Sequence, residues 1–298
     1  MAHVPVLLNR VLEILRPLPD KFIIDGTVDG GGHAAEIVKR LEPNGIFLGI
    51  DWDKSMIAGS KSRIGQVPKV EVHLVLGNYA DLPAILKSKK LGRADGLLLD
   101  LGLSSEQLEN SGKGFSFMKD EPLIMRYALD GPTAAEIING RNEKELADVF
   151  FRYGEERYAR NIAKGIIEAR RKKRIITTFD LVEAIRGAVP KSYERGRIHP
   201  ATRIFQALRI YVNNELGNLE SVLKSLHNIL KPGGVIIIIS FHSLEDRIVK
   251  NYFRDMEKQG LIQIITKKPM VAEREEILIN PRSRSAKLRA AIIKIPKY

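Results

Sequence analysis

Cysteine is absent from this sequence of 298 residues, and so is any long apolar run. Without cysteine the chain forms neither disulfide bonds nor thiolate zinc sites, and it has no cysteine nucleophile. The longest uncharged apolar run, from Gly233 to Ser243, is far shorter than the roughly 18 residues that a membrane span needs. The first residues also lack the basic and apolar regions of a signal peptide. We therefore expect a cytoplasmic protein without a membrane segment.

Negative charge is the scarcer of the two signs. Lysine and arginine number 48 against 36 aspartates and glutamates, which gives a formal net charge of +12. Apolar residues make up 44% and charged residues 28%, a balance typical of folded globular proteins rather than disordered ones. The positive excess favours a polyanionic partner such as nucleic acid, and the alternative is a soluble protein that is merely basic.

Short β-rich runs alternate with helical stretches in the first hundred residues, which predicts a parallel α/β sheet. Each run is followed by a polar residue or a glycine. The runs are Phe22–Ile24 before Asp25, Ile46–Ile50 before Asp51, Val70–Leu76 before Gly77, and Leu97–Leu99 before Asp100. In open α/β sheets ligands bind at this carboxyl-end edge, so we expect the binding site there.

A long interruption separates these runs from the next one. Val235–Ile239 follows Asp100 only after about 135 positions, whereas an ordinary crossover needs a few tens. The intervening sequence has helical periodicity and helix-start patterns at Thr133 and Asn142. We therefore expect an inserted, mainly helical domain at residues 104–213, within a discontinuous ligand-binding domain of residues 1–103 and 214–298.

The remaining elements are predicted from caps, breakers and periodicity. In the insertion we expect helices from about Glu143 to Tyr153, Glu155 to Lys173 and Phe179 to Val189, and a long segment opened by Pro200 with a break at Gly217. After it we expect a turn at Lys231–Gly234, a helix from Ser243 to about Lys258, and strands at Leu261–Thr266 and Ala290–Ile295.

The loop after the first strand is rich in glycine. It runs from Asp25 to His33 and includes Gly31 and Gly32 directly before a helix. Glycines let a ligand approach the backbone and leave the N–H groups of the helix start free to bind it. At the end of the second strand, Asp51 is placed to accept the hydroxyls of a ribose. The combination favours a nucleoside ligand over a structural turn.

Two kinds of nucleoside cofactor fit this half-sheet. The dinucleotide fingerprint G-x-G-x-x-G is missing, whereas Asp25 stands directly before the glycines, as expected for a site that binds a sulfonium or amino group. Tyr79, after the third strand, is placed to flank an adenine. The pattern therefore favours S-adenosylmethionine over a nicotinamide cofactor.

Two strand ends supply the candidate catalytic groups. Asp100 ends the strand that usually lies beside the transferred methyl group, and its alternative role is a cap or loop hydrogen bond. Phe241 and His242 follow the fifth strand and could hold a planar base. Ser243 with Asp246 is a plausible helix cap. A metal site made of His242, Glu245, Asp246 and His199 lacks any recognised ligand spacing, so we expect no metal.

Basic residues concentrate in two runs and on one predicted helix. The first run, Arg170–Arg174, ends a helix, where cations are favoured without any ligand. In the second, arginine and serine alternate from Arg282 to Lys287, which suits phosphate contacts. The helix after Pro200 places Arg203, Gln206, Arg209 and Asn213 near one face. The candidate RNA-binding residues are Arg170, Arg171, Lys172, Arg203, Arg209, Arg282, Arg284 and Lys287.

Taken together, these motifs resemble the RsmH (MraW) family. The resemblance rests on Asp25–His33, Leu98–Leu108, Gly114–Phe117, His199–Arg209, Ser240–Arg247 and Arg282–Lys287, and it extends over essentially the whole chain. It implies a Rossmann-like class I methyltransferase fold, α/β, with a mostly parallel sheet whose last strand is antiparallel. It also implies transfer of a methyl group from S-adenosylmethionine to the N4 amine of a cytidine in small-subunit ribosomal RNA, free or in a subunit particle.

The resemblance also implies which residues touch the cofactor. These are Gly31, Gly32, His33, Asp51, Tyr79, Asp100 and Gln107, to which the strand-end argument adds Asp25. The sequence departs from the family pattern in three places. Asp29 stands where glycine is common, Tyr79 where phenylalanine is frequent, and Leu123–Tyr127 has Ile124 in place of an acid. The last departure weakens any catalytic role for a carboxylate at that position.

The lack of cysteine agrees with an amine as the methyl acceptor. Methylation at C5 of a pyrimidine normally needs a cysteine nucleophile, whereas an exocyclic amine needs no covalent intermediate. The site must hold the amine with acceptors and align it with the methyl–sulfur bond. Asp100, the segment at Ser104 and His242 are the candidates for this role. A methyltransferase for another RNA base or a protein, and an RNA-binding protein without activity, are the alternatives.

Overall fold

The polypeptide folds as two units. The computed structural model describes residues 5–128, 130–194 and 199–294. Met1–Gly102 and Leu216–Tyr298 together make the first unit, here called the sheet unit, and Leu103–Glu215 makes the second, here called the helical unit. The sequence placed the insertion at residues 104–213.

A seven-stranded sheet forms the centre of the sheet unit, in the order β3-β2-β1-β4-β5-β7-β6. The strands are β1 Phe22–Asp25, β2 Gly45–Asp51, β3 Val70–Leu76, β4 Ala94–Asp100, β5 Leu230–Ser240, β6 Ile262–Ile264 and β7 Lys287–Ile293. Strands β1 to β5 pair in parallel, and β7 runs antiparallel to both of its neighbours. The predicted fold class, with its antiparallel last strand, is confirmed.

Both faces of this sheet are buried. Ile24, Leu97 and Ile236 belong to one apolar cluster. Their chain neighbours Ile23, Leu98 and Ile237 belong to the other. Side chains alternate between the faces of a strand, so continuous apolar runs produce two cores, as parallel sheets require. Before the insertion the flanking helices are α1 Leu8–Leu15, α2 Gly32–Arg40, α3 Lys54–Ile64 and α4 Leu82–Ser88.

The helical unit contains seven helices within the part of it that the structure describes. They are α5 Ser105–Asn110, α6 Ala134–Gly140, α7 Glu143–Gly154, α8 Ala159–Lys172, α9 Thr178–Ala188, α10 Lys191–Glu194 and α11 Pro200–Asn213. Capping boxes at Thr133 and Asn142 start α6 and α7, as predicted. Helix α8 begins later than the predicted Glu155 because that residue ends α7 with a left-handed φ of 48°.

The chain returns to the sheet through α12 Glu215–Lys224 and α13 Leu226–Ile229, followed later by α14 Ser243–Lys258 and α15 Arg274–Ile279. The predicted break at Gly217 is wrong: Asn214, with a φ of 49°, separates α11 from α12. Lys231–Gly234 fall within the bounds of β5, but they have no partners on β4, which pairs Ala94 with Leu230 and Gly96 with Val235. With a φ of 82° at Gly233, the predicted turn is present as a bulge in the strand. The predicted strand at Leu261–Thr266 is shorter, and Ile295 lies outside the described residues.

Helix α14 is confirmed at both of its predicted ends, and its cap differs from the prediction. The residue that accepts the hydrogen bond at the helix start is His242 and not Ser243. An imidazole nitrogen takes the role usually filled by a hydroxyl or carboxylate. None of the helices that the structure describes has the length and apolarity to cross a bilayer.

Candidate active site

Three carboxylates end three neighbouring strands of the sheet unit. Asp25 ends β1, Asp51 ends β2 and Asp100 ends β4, and β1 pairs with both of the other strands. Asp25 is 1% exposed and Asp51 8%, and the side chain of Asp100 is 15% exposed. The sequence predicted all three at the carboxyl-end edge of the sheet. The parallel pairing of β1 with β2 and β4 places them at that edge.

The glycine loop follows the end of β1 and leads into α2. Gly31 has a φ of 82°, and a Cβ there would lie 2.9 Å from the Cα of Ser60. Only glycine meets both requirements without strain. Helix α2 starts at Gly32, and Gly31 before it has no side chain that could cap the helix. The positive end of the helix dipole lies at this start, which favours a negatively charged ligand group.

Asp51 is oriented by the same loop. Its Oδ1 accepts a hydrogen bond from the Asp53 N–H at 2.9 Å, and its Oδ2 accepts one from the Asp29 N–H at 3.0 Å. Each carboxylate oxygen keeps further acceptor capacity. The pair of oxygens can therefore receive two neighbouring hydroxyls of a ribose. Burial raises the pKa of Asp51 to about 7. The hydrogen bonds from the two N–H groups lower this pKa, but burial has the larger effect.

Asp25 and Asp100 are linked through Thr27. Asp25 Oδ1 accepts from the Thr27 N–H at 3.1 Å, and the Thr27 hydroxyl oxygen lies 2.6 Å from the Asp100 N–H, which donates to it. Burial raises the pKa of Asp25 to about 7. Burial, and then the charges of Asp29 and Asp25, raises the pKa of Asp100 well above its usual range. Ionised carboxylates here would be stabilised by a positively charged ligand.

His33 lies beside Asp100. Its Nε2 lies 2.9 Å from the Val6 carbonyl oxygen, which can only accept, so Nε2 carries the proton. Its Nδ1 lies 3.7 Å from Asp100 Oδ2. The other oxygen, Asp100 Oδ1, is buried without a hydrogen-bond partner among the described residues. A buried acceptor of this kind is available to a substrate group that donates.

Two aromatic residues lie beyond β2 and β3. Tyr79 is buried, and its ring centroid is 6.4 Å from that of Trp52. Trp52, the single tryptophan of the chain, stands between Asp51 and Asp53 and was missed by the sequence reasoning. A lone tryptophan directly after a ligand-binding strand end is the feature that could have indicated it. The two rings give the adenine position two aromatic candidates instead of one.

The segment after β5 is organised around a buried glutamate. Glu245 Oε2 accepts from the Phe241 N–H at 3.0 Å, and Glu245 Oε1 lies 3.1 Å from Nε2 of His242. The other ring nitrogen, Nδ1, accepts from the Glu245 N–H at 3.4 Å. The Nδ1 contact holds the ring at its own helix start, whereas Nε2, although it lies near Glu245, is buried without a hydrogen-bond partner among the described residues. A Cβ on Gly102 would lie 2.7 Å from the Phe241 ring, which places that ring against the backbone after Asp100.

Two further predicted site residues belong to the helical unit. Ser104 Oγ accepts from the Gln107 N–H at 2.9 Å, and Gln107 Oε1 accepts from the Ser104 N–H at 3.2 Å. This reciprocal pair is a capping box that starts α5. The roles of Ser104 in catalysis and of Gln107 in cofactor binding stay predictions.

Several predicted RNA-binding residues of the helical unit are used within its own packing. Arg170 Nη1 donates to the carbonyl oxygens of Ile138 and Arg141 at 2.6 and 2.7 Å. Arg209 makes a two-point ion pair with Glu215, at 2.8 and 2.9 Å.

The rest of the polar face on α11 has the same function. Arg203 donates to the Glu155 carbonyl, Gln206 to the Tyr153 carbonyl, and buried Asn213 to the Met125 carbonyl. This face, which the sequence assigned to RNA, ties α11 to the neighbouring segments of the helical unit.

Exposed cations remain at the end of α8. Arg171, Lys172 and Arg174 are exposed. Arg170, Arg171 and Arg174 line a pocket of about 460 Å³ together with Glu136, Asn139 and Gly140. Phosphate contacts need accessible guanidinium and ammonium groups, so this end of α8 is the better candidate within the helical unit.

The second basic run lies before β7 in a short 3₁₀ helix, Pro281–Ser285. Arg284 is exposed, whereas Arg282 is half-buried. Lys287 lies 3.5 Å from Asp246, to which Arg289 also binds. Of the three residues that the sequence assigned to RNA here, Arg284 is the most accessible.

Whole-chain comparisons identify similar proteins. A family model described as the MraW methylase family matches residues 1–294. Ribosomal RNA small subunit methyltransferase H of Syntrophotalea carbinolica is 44% identical over 97% of this chain and 96% of that protein. The protein of the same name from Deinococcus deserti is 45% identical over 98% of this chain and 93% of that protein. The one from Heliobacterium mobile is 42% identical over 97% and 98%.

Proposed function

The chain belongs to the MraW methylase family, and from this premise we propose that it transfers a methyl group from S-adenosylmethionine to the N4 amine of a cytidine in small-subunit ribosomal RNA. The relatives' name, ribosomal RNA small subunit methyltransferase H, supports the RNA class. The lack of cysteine supports an amine acceptor, because methylation at C5 of a pyrimidine normally needs a cysteine nucleophile.

The observation that carries the proposal is the set of strand-end carboxylates around the glycine loop. Asp51, with both oxygens oriented by backbone N–H groups, would hold the ribose hydroxyls of the cofactor. The N–H groups at the start of α2 would bind its carboxylate end. Tyr79 and Trp52 would flank the adenine. Asp25, with its raised pKa, would favour a positively charged group and become ionised beside it.

The cofactor supplies an electrophilic methyl group on a positively charged sulfur. During transfer, a bond forms between N4 and the methyl carbon, the carbon–sulfur bond breaks, and the amine loses one proton. Asp100 Oδ1, buried and without a hydrogen-bond partner among the described residues, would accept a hydrogen bond from the N4 amine. This contact holds the nitrogen lone pair out of the ring plane and directs it along the carbon–sulfur axis. Asp100 is then the acceptor placed nearest to the departing proton.

The RNA would be bound by exposed cations. Arg171, Lys172 and Arg284 are exposed and are our candidates for phosphate contacts. The formal net charge of +12 supports a polyanionic partner. We propose that the substrate is ribosomal RNA, free or in a subunit particle, and that the reaction takes place in the cytoplasm.

The test is transfer of tritium from labelled S-adenosylmethionine to ribosomal RNA, followed by nucleoside analysis. We expect label in N4-methylcytidine from small-subunit RNA. Label in another nucleoside, or in protein, would replace the proposal by a methyltransferase of that substrate. Binding of RNA without any transfer, to free RNA or to subunits, would leave an RNA-binding protein.

A further inference from the structure

A fourth carboxylate, Asp29, enters the cofactor site on the glycine loop. Its N–H donates to Asp51, which fixes this residue beside the ribose-binding group. Its φ of 41° lies in the left-handed region, which aspartate adopts only occasionally. Its side chain is half-buried. The loop thus presents an additional negative charge at a position where the backbone would favour glycine.

The charge of Asp29 acts on all three strand ends. It is among the causes that raise the pKa values of Asp25, Asp51 and Asp100. The hydrogen bonds that Asp25 and Asp51 receive come from backbone N–H and hydroxyl groups of Thr27, Asp29 and Asp53. Other titratable groups at this edge are His33 and Glu245, the latter acting on Asp100. Six carboxylates, those of Asp25, Asp29, Asp51, Asp53, Asp100 and Glu245, therefore contribute to the potential that a ligand meets here, together with His33.

This potential distinguishes the two forms of the cofactor. S-adenosylmethionine carries a positive sulfonium, whereas the product S-adenosylhomocysteine has a neutral thioether in its place. The two ligands otherwise share their adenosine and amino-acid parts, so contacts to those parts add equally to both affinities. A negative charge near the sulfur position adds to one affinity only.

We propose that Asp29 makes the cofactor site selective for charge, favouring the sulfonium of the substrate over the neutral sulfur of the product. This inference rests on the proposed function. Loss of the methyl group then removes the attraction that held the cofactor, so Asp29 promotes release of the product and limits inhibition by it. The residue affects specificity between two ligands and takes no part in bond making.

The test compares three ligands on two variants by calorimetry. Asp29→Asn removes the charge, keeps the N–H that binds Asp51, and tolerates a positive φ. Because one unit charge is removed from a half-buried position, the affinity for S-adenosylmethionine should fall by about fivefold. The affinity for S-adenosylhomocysteine should not fall. Sinefungin, whose amine is charged at neutral pH, should follow S-adenosylmethionine. Asp81→Asn, which removes an exposed aspartate of the same unit, is the control.

The possible outcomes distinguish a failure of the proposed function from a failure of charge selection by Asp29. If the wild-type protein binds neither cofactor form, the proposed function fails. If it binds both and Asp29→Asn weakens them equally, or weakens neither, charge selection by Asp29 is wrong while the function stands. Asp29→Gly, which suits the φ of 41°, guards against a folding defect and should give the same change in the affinity ratio. Equal changes in Asp81→Asn would assign the effect to net charge and overturn the proposal.

Discussion

The strand-end edge of the sheet unit and the basic end of α8 in the helical unit use charge in opposite ways. At the sheet edge, Asp25 and Asp51 are buried, and burial raises the pKa of each to about 7. At the end of α8, Arg171 and Lys172 are exposed, so water already solvates their charges. A buried charge depends strongly on what binds beside it, whereas an exposed charge contributes mainly through many weak, salt-sensitive contacts.

The predicted RNA-binding cations also differ among themselves in how accessible they are. Arg170 and Arg209 carry the same charge as Arg171, yet both are bonded to carbonyls or a carboxylate of their own unit. We therefore expect accessibility, and not the presence of a cation in a basic run, to distinguish the residues that contact RNA from those that hold the fold.

The largest effect is expected at Asp100. In Asp100→Asn the hydrogen bond from the substrate amine is weaker, because an amide oxygen is a poorer acceptor than a carboxylate. The group that would accept the proton is also lost, so the rate of methyl transfer should fall by about a hundredfold or more. Cofactor affinity should change by a few-fold at most. Single-turnover transfer of tritium to RNA, together with calorimetry, measures both. Transfer at the wild-type rate would remove Asp100 from the reaction, and Ser104→Ala and His242→Ala would then be the next variants to examine.

The next effect concerns Asp51. Its charged hydrogen bonds to the ribose should contribute about 1.5–3 kcal/mol, so Asp51→Ala should weaken cofactor binding roughly tenfold to a hundredfold. Asp95→Ala is a control, because Asp95 pairs with Lys21 and Lys231 at the other end of β4. Unchanged affinity in a folded Asp51→Ala protein would exclude the ribose assignment.

The exposed and the packed cations should separate in RNA binding. Neutralising Arg171 and Lys172 together should flatten the slope of log affinity against log salt by roughly 1.4–1.8, since each phosphate contact contributes about 0.7–0.9. The thermal midpoint should hardly change. Arg170→Gln should instead lower the thermal midpoint, because two carbonyls of its unit lose a charged donor. If Arg170→Gln alters only the salt slope, the distinction by accessibility is wrong.

A smaller effect is expected from pH. The folded pKa values of Asp25 and Asp51, about 7, exceed those of an unfolded aspartate, so the stability that the neutral forms contribute is fully present below about pH 4 and is lost as pH rises through 7. A positively charged cofactor lowers these pKa values and releases protons on binding. Its affinity should therefore increase between about pH 6 and 8, by up to about tenfold per group.

Calorimetry in buffers of different ionisation enthalpy counts the released protons. Binding that is independent of pH in this window, with no proton release, would show that the strand-end carboxylates are already ionised in the free protein.

Much of the sheet unit could be predicted from the sequence because its strands are continuous apolar runs that end in a polar residue. Placing those runs predicted that Asp25, Asp51 and Asp100 lie at one edge of the sheet, whereas the strand order and register were not predicted, because they depend on pairing between distant segments. The role proposed for Asp29 was not predicted, because it depends on the fold bringing this loop residue near the three strand-end carboxylates. The cap at His242 was missed because Ser243 has the stronger intrinsic preference, whereas the helix begins at Ser243 and the Glu245 N–H donates to His242 one position earlier.

The helical unit was harder to predict in function than in structure. Capping boxes at Thr133 and Asn142 fixed two helix starts, since the residues that make them are adjacent in sequence. The polar face of α11 could not be assigned in the same way. A stripe of arginine, glutamine and asparagine has the same spacing whether it meets phosphate or the carbonyls at Glu155, Tyr153 and Met125.

The position of the helical unit in the sequence also affects the order in which the two units can fold during synthesis. Leu97 of β4 pairs with Ile236 of β5, so about 140 positions separate two neighbouring strands at the centre of the sheet. Contacts so distant in sequence form slowly. Residues 103–215 are contiguous and complete before β5 has been translated. The helices can therefore fold first and shorten the effective loop, so the sheet closes last, when the final quarter of the chain leaves the ribosome.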